Sequence, residues 1–139
     1  MSLISHRCDL EELQATMPED GYWYLASPYS SVPTDELHSI FALRSEAFAD
    51  ASEAAGWLIG NGVRVFSAVT HSHPISQFGG IDGLSHEIWP RVDKPFMQDA
   101  CGMIALQLEG WANSGRIKAA VAEFATMEKP IHYMEWPIG

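Results

Sequence analysis

Apolar residues fall in two kinds of run along this chain: short continuous blocks, and longer stretches at helical spacing. The blocks are Tyr22 to Ser27, Val63 to Val69, Cys101 to Leu108 and Ile131 to Met134. Short apolar blocks of this kind suit strands covered on both faces. Between the first two blocks, Leu37, Ile40, Phe41, Ala47, Phe48, Ala51, Ala54, Ala55 and Leu58 recur at helical spacing over about six turns. Thr34 stands where a helix cap belongs, Asp35 and Glu36 occupy the first turn, and Gly60-Asn61-Gly62 ends the helix. The stretch from Thr70 to Gly83 contains Pro74, Gly79 and Gly80, and is expected to be a long loop. A helix over parts of Leu84 to Asp99 is expected to be interrupted by Pro90 and Pro95. Ile117, Val121, Phe124 and Ala125 give a last helix its inner face, between a turn at Gly110–Ser114 and a stop at Glu128-Lys129-Pro130.

Strand, helix, strand, helix, strand, helix, strand is the order of an α/β domain with right-handed crossovers and a mostly parallel sheet. Such sheets take ligands outside the carboxyl ends of the strands, where strand order reverses. Three loops are expected there: Ser27–Ser31, Thr70–Gly83 and Glu109–Ser114. Residues 1–20 read as a peripheral segment with a short helix at Asp9–Gln14, and residues 21–139 as the domain.

Composition narrows the classes. Hydrophobic residues make up 47% and charged residues 19% of 139, which is globular rather than disordered. A formal net charge of -10 argues against nucleic acid, whose binding rests on Lys and Arg. No apolar run is long enough for a membrane span or a signal peptide, so a cytoplasmic protein is expected. Cys8 and Cys101 are far apart and frame no disulfide scaffold; Cys101 reads as a small buried hydrophobe.

Four clusters could carry chemistry. Ser27-Pro28-Tyr29-Ser30 offers hydroxyls and an aromatic face beside a helix start, suited to an anion or to a plain tight turn. His71-Ser72-His73 has metal-ligand spacing but no third ligand, so no metal or cofactor is expected; His73 reads as a positioning or polarising group. Trp89 and Asp93 are one helical turn apart and share a face, suiting a base or sugar, or else core and solvent. Ser114 can cap the last helix, with Trp111 before it and Arg116 in its first turn. A cation there opposes the helix dipole unless it meets an acid or an anionic ligand. Arg44 lies on the apolar line of the long helix, either snorkelling at its edge or serving as a second anion-binding cation.

The succession "YLASPYS", "VFSAVTHSHPI", "IWPRVDKPFM" and "IALQLEGWANS" resembles the nucleoside 2-deoxyribosyltransferase-like superfamily, and within it a bacterial family of short proteins of unknown function. The resemblance runs from about Tyr22 to Tyr133. It implies a flavodoxin-like (Rossmann-like) sheet of four or five strands. It also implies a homodimer or dimer of dimers, and a nucleoside or nucleotide as the small-molecule partner. Active relatives attack the anomeric carbon with a glutamate and resolve the glycosyl-enzyme with water or a second base, as in retaining glycoside hydrolysis. Ser27, Tyr29, Asp93, Trp111 and Ser114 match the family pattern. The nucleophilic Glu position falls on Ala120, a family Gly falls on Arg116, and an Asp at the start of the third strand falls on Gly102. Glu123, three residues past Ala120, is the nearest substitute acid on that helix. The resemblance therefore implies either an N-glycoside hydrolase or transferase using Asp93 and Glu123, or a nucleotide-binding module or structural protein that has lost the chemistry.

Overall fold

Every strand pairing in the sheet is parallel. The structure is a computed structural model that describes residues 5–7, 9–29 and 37–137. Its elements are β1 (Ser5–Arg7), α1 (Leu10–Ala15), β2 (Trp23–Ala26), α2 (Leu37–Gly60), β3 (Val65–Ser67), α3 (Ala68–Gly79), α4 (Trp89–Asp99), β4 (Gly102–Gln107), a 3-10 turn (Trp111–Asn113), α5 (Gly115–Thr126) and β5 (Ile131–Glu135). The five strands lie in the order β1-β5-β4-β2-β3. From β2 onward this is the flavodoxin-like order, with the N-terminal β1 as the outer neighbour of β5. The chain runs from β2 outward to β3 and then back across β2 to β4, so strand order reverses between β2 and β4.

Alternation along the buried strands divides the core in two. Tyr24, Ala26, Met103, Ala105 and Ile131 meet Met97 of α4 and Ile117, Ala120 and Phe124 of α5. Trp23, Leu25, Ile104, Leu106 and Met134 meet Leu13 of α1 and Ala54 and Leu58 of α2. Gly102 belongs to the second face. A Cβ there would lie 2.2 Å from Trp23 Cζ3 and 2.8 Å from the Pro130 carbonyl. A side chain has no room at Gly102, which stands at the N-terminal end of β4.

Several expectations need correction. Residues 1–20 are not merely peripheral: Ser5–Arg7 pairs with Ile131–Tyr133, and Leu13 is fully buried. The expected loop from Thr70 is instead α3. The Ser67 hydroxyl accepts from Thr70 N at 3.3 Å and caps it, and Gly80 in the left-handed region (φ 71°) ends it. Pro74 is accommodated inside the helix. Pro90 sits in the first turn of α4, where its missing N–H is no loss, while Pro95 lies inside. Trp23 is 3% exposed, because a central strand is covered on both faces. Trp136 packs on Trp57 and Tyr133 on Trp111. Cys101 is half-buried; its thiol donates to Tyr22 O at 2.9 Å, and burial raises its pKa. The expected cap at Thr34, Ser30 of the first cluster, and Cys8 lie outside the described residues. Among the described residues no helix is long and apolar enough to cross a membrane.

Candidate functional site

A cavity of about 500 Å³ opens where strand order reverses. Its floor is Tyr24 and Ala26 of β2 with Ser27 and Tyr29 beyond, and Ala68 and Val69 at the start of α3. Leu84, Ser85 and His86 rim it, Trp89, Asp93 and Met97 of α4 form one wall, and Gly115, Arg116, Ala119 and Glu123 of α5 form the other. The spacing 89, 93, 97 is one face of α4, and 116, 119, 123 is one face of α5. A volume of this size suits a nucleoside-sized ligand.

Arg116 organises the cavity. Its Nη1 donates to Ser72 Oγ at 3.0 Å and its Nη2 to the Gly83 carbonyl at 2.8 Å. The guanidinium carbon lies 5.0 Å from the Tyr29 ring centroid and 5.8 Å from that of Trp89, within cation–π range of both. Trp89 is itself held by its indole N–H donating to Asp82 O at 2.8 Å. A side chain at Gly83 would crowd Ser76 Oγ at 2.9 Å and Tyr29 at 3.2 Å, so glycine lets that carbonyl approach. Burial lowers the Arg116 pKa, and the nearby Asp93 and Tyr24 oppose that shift.

Asp93 is 7% exposed, and its Oδ1 has no hydrogen-bond partner among the described residues. Burial pushes its carboxyl pKa up, against the pull of Arg116 and His71. A carboxyl raised by desolvation is suited to holding a proton for a leaving group. Tyr24 beside it is raised by burial and by Asp93, so its phenol stays protonated. Ser27, 1% exposed, also leaves its buried Oγ without a partner among the described residues. Behind the cavity, Tyr29 Oη and His73 Nδ1 are 2.6 Å apart, and the His73 ring stacks on Phe48 at 4.7 Å. Burial lowers the His73 pKa and favours the neutral ring.

The chain matches, over residues 21–136, the family described as a domain of unknown function, DUF1937. The chain belongs to the DUF1937 family. No curated protein matches it.

In this DUF1937 domain the residues singled out in the sequence separate into two groups. Ser27, Tyr29, Trp89, Asp93, Arg116 and Glu123 line one cavity. His73 stands behind Tyr29 as a positioning group, and Pro28 is half-buried outside the lining. Trp111 is elsewhere: it packs on Tyr133 and edges a second hollow with Gln107, Glu135 and Trp136. Ser114 is spent on capping α5, accepting from Ile117 N at 3.3 Å, and does not line the cavity. The loop Glu109–Ser114 therefore does not reach the site; Gly115 and Arg116 do. His71 and His73 diverge, because two residues on a helix turn through about 200°. His71 faces Phe66 and Phe96, and His73 faces Tyr29. Arg44 approaches the ring of Tyr29 at 5.5 Å, and its Nε is buried without a partner among the described residues. Ala120 is 2% exposed in the core, whereas Ala119 lines the cavity.

Tyr24, Ser72, Gly83, Met97 and Ala119 were not foreseen. Tyr24 was legible in principle, since it shares a strand face with Ala26. Ser72 entered only as part of the His71–His73 cluster, and Gly83 contributes a backbone carbonyl, which no residue type signals.

Proposed function

We propose that this DUF1937 domain binds a nucleoside or nucleotide in the cavity between β2 and β4 and cleaves or exchanges its N-glycosidic bond. One observation carries the reading. Asp93, a buried carboxyl with a raised pKa, and Glu123, the other acid on the cavity wall, lie on two helices that flank one nucleoside-sized space. Trp89 and Tyr29 supply aromatic faces for a base or sugar. In this reading Asp93 protonates the departing base, and Glu123 stabilises or attacks the anomeric carbon. The sequence resemblance to the nucleoside 2-deoxyribosyltransferase-like superfamily supports the same chemistry. A cytoplasmic homo-oligomer belongs to this reading.

A second reading, a nucleotide-binding module without turnover, is favoured by Ala120, which puts a methyl group where the resemblance expects a glutamate. Thermal melting and chromatography of free base, run on one panel of nucleosides and nucleotides, separate the two. Base release supports glycosidic cleavage. A rise in melting temperature without release supports the binding module.

A further inference from the structure

Arg116 is a cation whose direct contacts are neutral groups. Its two hydrogen-bond partners are a hydroxyl and a carbonyl, and its two closest faces are aromatic rings. Asp93 is near enough to act on it through space, but the two form no direct hydrogen bond or ion pair among the described residues. A guanidinium has five N–H donors; the two anchors leave others for the cavity that Arg116 lines. The clamp between Tyr29 and Trp89 fixes the fork before any ligand arrives, which reduces the ordering cost of binding.

Three further observations converge on the same place. Arg116 and Gly115 open α5, a helix of 12 residues, and their backbone N–H groups make no backbone bond among the described residues. Open space surrounds Gly115 where a Cβ would stand. Ser27 Oγ is buried on the same cavity's wall with no partner among the described residues. The chain carries a net charge of -10, so a fixed inward cation runs against its overall field.

We propose that Arg116, with the N-terminal N–H groups of α5, is a preformed receptor for a phosphoryl group, so that the cavity takes a phosphorylated ligand in preference to its unphosphorylated form. A tetrahedral phosphoryl group presents oxygens in several directions and can meet both the guanidinium fork and the helix N–H groups at once. Arg44, 5.5 Å from the same Tyr29 ring, adds positive potential. This inference rests on the nucleotide reading and narrows it to the phosphorylated member of each pair.

The test uses inorganic phosphate, acetate at matched ionic strength, and nucleosides each paired with its own 5′-monophosphate. Melting temperature and calorimetric affinity are read for wild type, Arg116→Ala and Arg116→Lys. Phosphate is expected to raise the melting temperature of wild type and not of Arg116→Ala. The monophosphates are expected to bind at least tenfold more tightly than the nucleosides, about 1.4 kcal/mol, with the gap closed in Arg116→Ala and partly kept in Arg116→Lys. Should Arg116→Ala not fold, competition between phosphate and monophosphate on wild type decides the matter. Equal affinity for nucleoside and monophosphate, or equal stabilisation by acetate and phosphate, overturns the inference. Equal affinity accompanied by base release overturns it and leaves the glycosidic reading standing. Phosphate binding through Arg116 with no contribution from base or sugar upholds the receptor and overturns the nucleotide reading.

Discussion

Tyr29 and His73 share a hydrogen bond of 2.6 Å between phenol oxygen and Nδ1, tying the loop after β2 to α3. The pair holds in place a ring that both Arg44 and Arg116 approach, at 5.5 and 5.0 Å. Burial keeps the phenol protonated and the imidazole neutral. Tyr29→Phe keeps the ring and removes the bond, leaving a buried ring nitrogen without its partner. A loss of about 1–2 kcal/mol of stability is expected from urea unfolding. Cation–π contact with Arg116 should survive, so ligand affinity should fall less than in Tyr29→Ala.

Asp93 gives stability a pH dependence. Its folded carboxyl pKa is raised by burial, so the native state holds the proton at a pH where the unfolded state has released it. Stability is therefore fullest below the ordinary carboxylate range and declines as pH rises through the folded pKa. Asp93→Asn should remove this decline. Its melting temperature should exceed that of wild type near neutral pH and approach it in acid. A parallel decline in both proteins would contradict the assignment.

Gly102 and Gly56 form a contrasting pair. A Cβ at Gly102 would collide with the Trp23 ring and the Pro130 carbonyl, while one at Gly56 within α2 meets nothing within 4 Å. Gly102→Ala should cost about 1–3 kcal/mol or more through overpacking. Gly56→Ala should gain about 0.5–1 kcal/mol from helix propensity. Chemical denaturation of both variants reads the two signs directly.

A carboxylate restored to α5 distinguishes its two adjacent alanines. Ala119 lines the cavity and Ala120 is enclosed in the core. Ala120→Glu buries an acid among apolar side chains and should cost about 3 kcal/mol or more unless the chain adjusts around it. Ala119→Glu should fold normally and, in the glycosidic reading, raise base release. The melting temperatures of the two variants test the geometry, and their base release tests the chemistry.

The sheet was legible because buried parallel strands leave continuous apolar blocks, as at Tyr22–Ser27 and Cys101–Leu108. The pairing of Trp89 with Asp93 was legible for a similar reason: one helical turn fixes a common face. What the sequence concealed was mostly capping and edge structure. Pro74 and the double glycine made α3 look like a loop, although Ser67 caps it and Ser72 and His73 take buried positions on it. A three-residue edge strand such as β1 has too few positions to show alternation. Trp111 and Arg116 are five residues apart yet face different hollows, because the 3-10 turn and the Ser114 cap lie between them. Local spacing could not carry that change of direction.

The most direct measurement is free base released from a panel of nucleosides and their monophosphates by wild type, Asp93→Asn and Glu123→Gln, each verified as folded by its melting curve. Release by wild type that is lost or reduced at least a hundredfold in Asp93→Asn, and reduced in Glu123→Gln, is the expected result. Release that is indifferent to both substitutions, or no release and no ligand-induced rise in melting temperature from any member of the panel, would contradict the account.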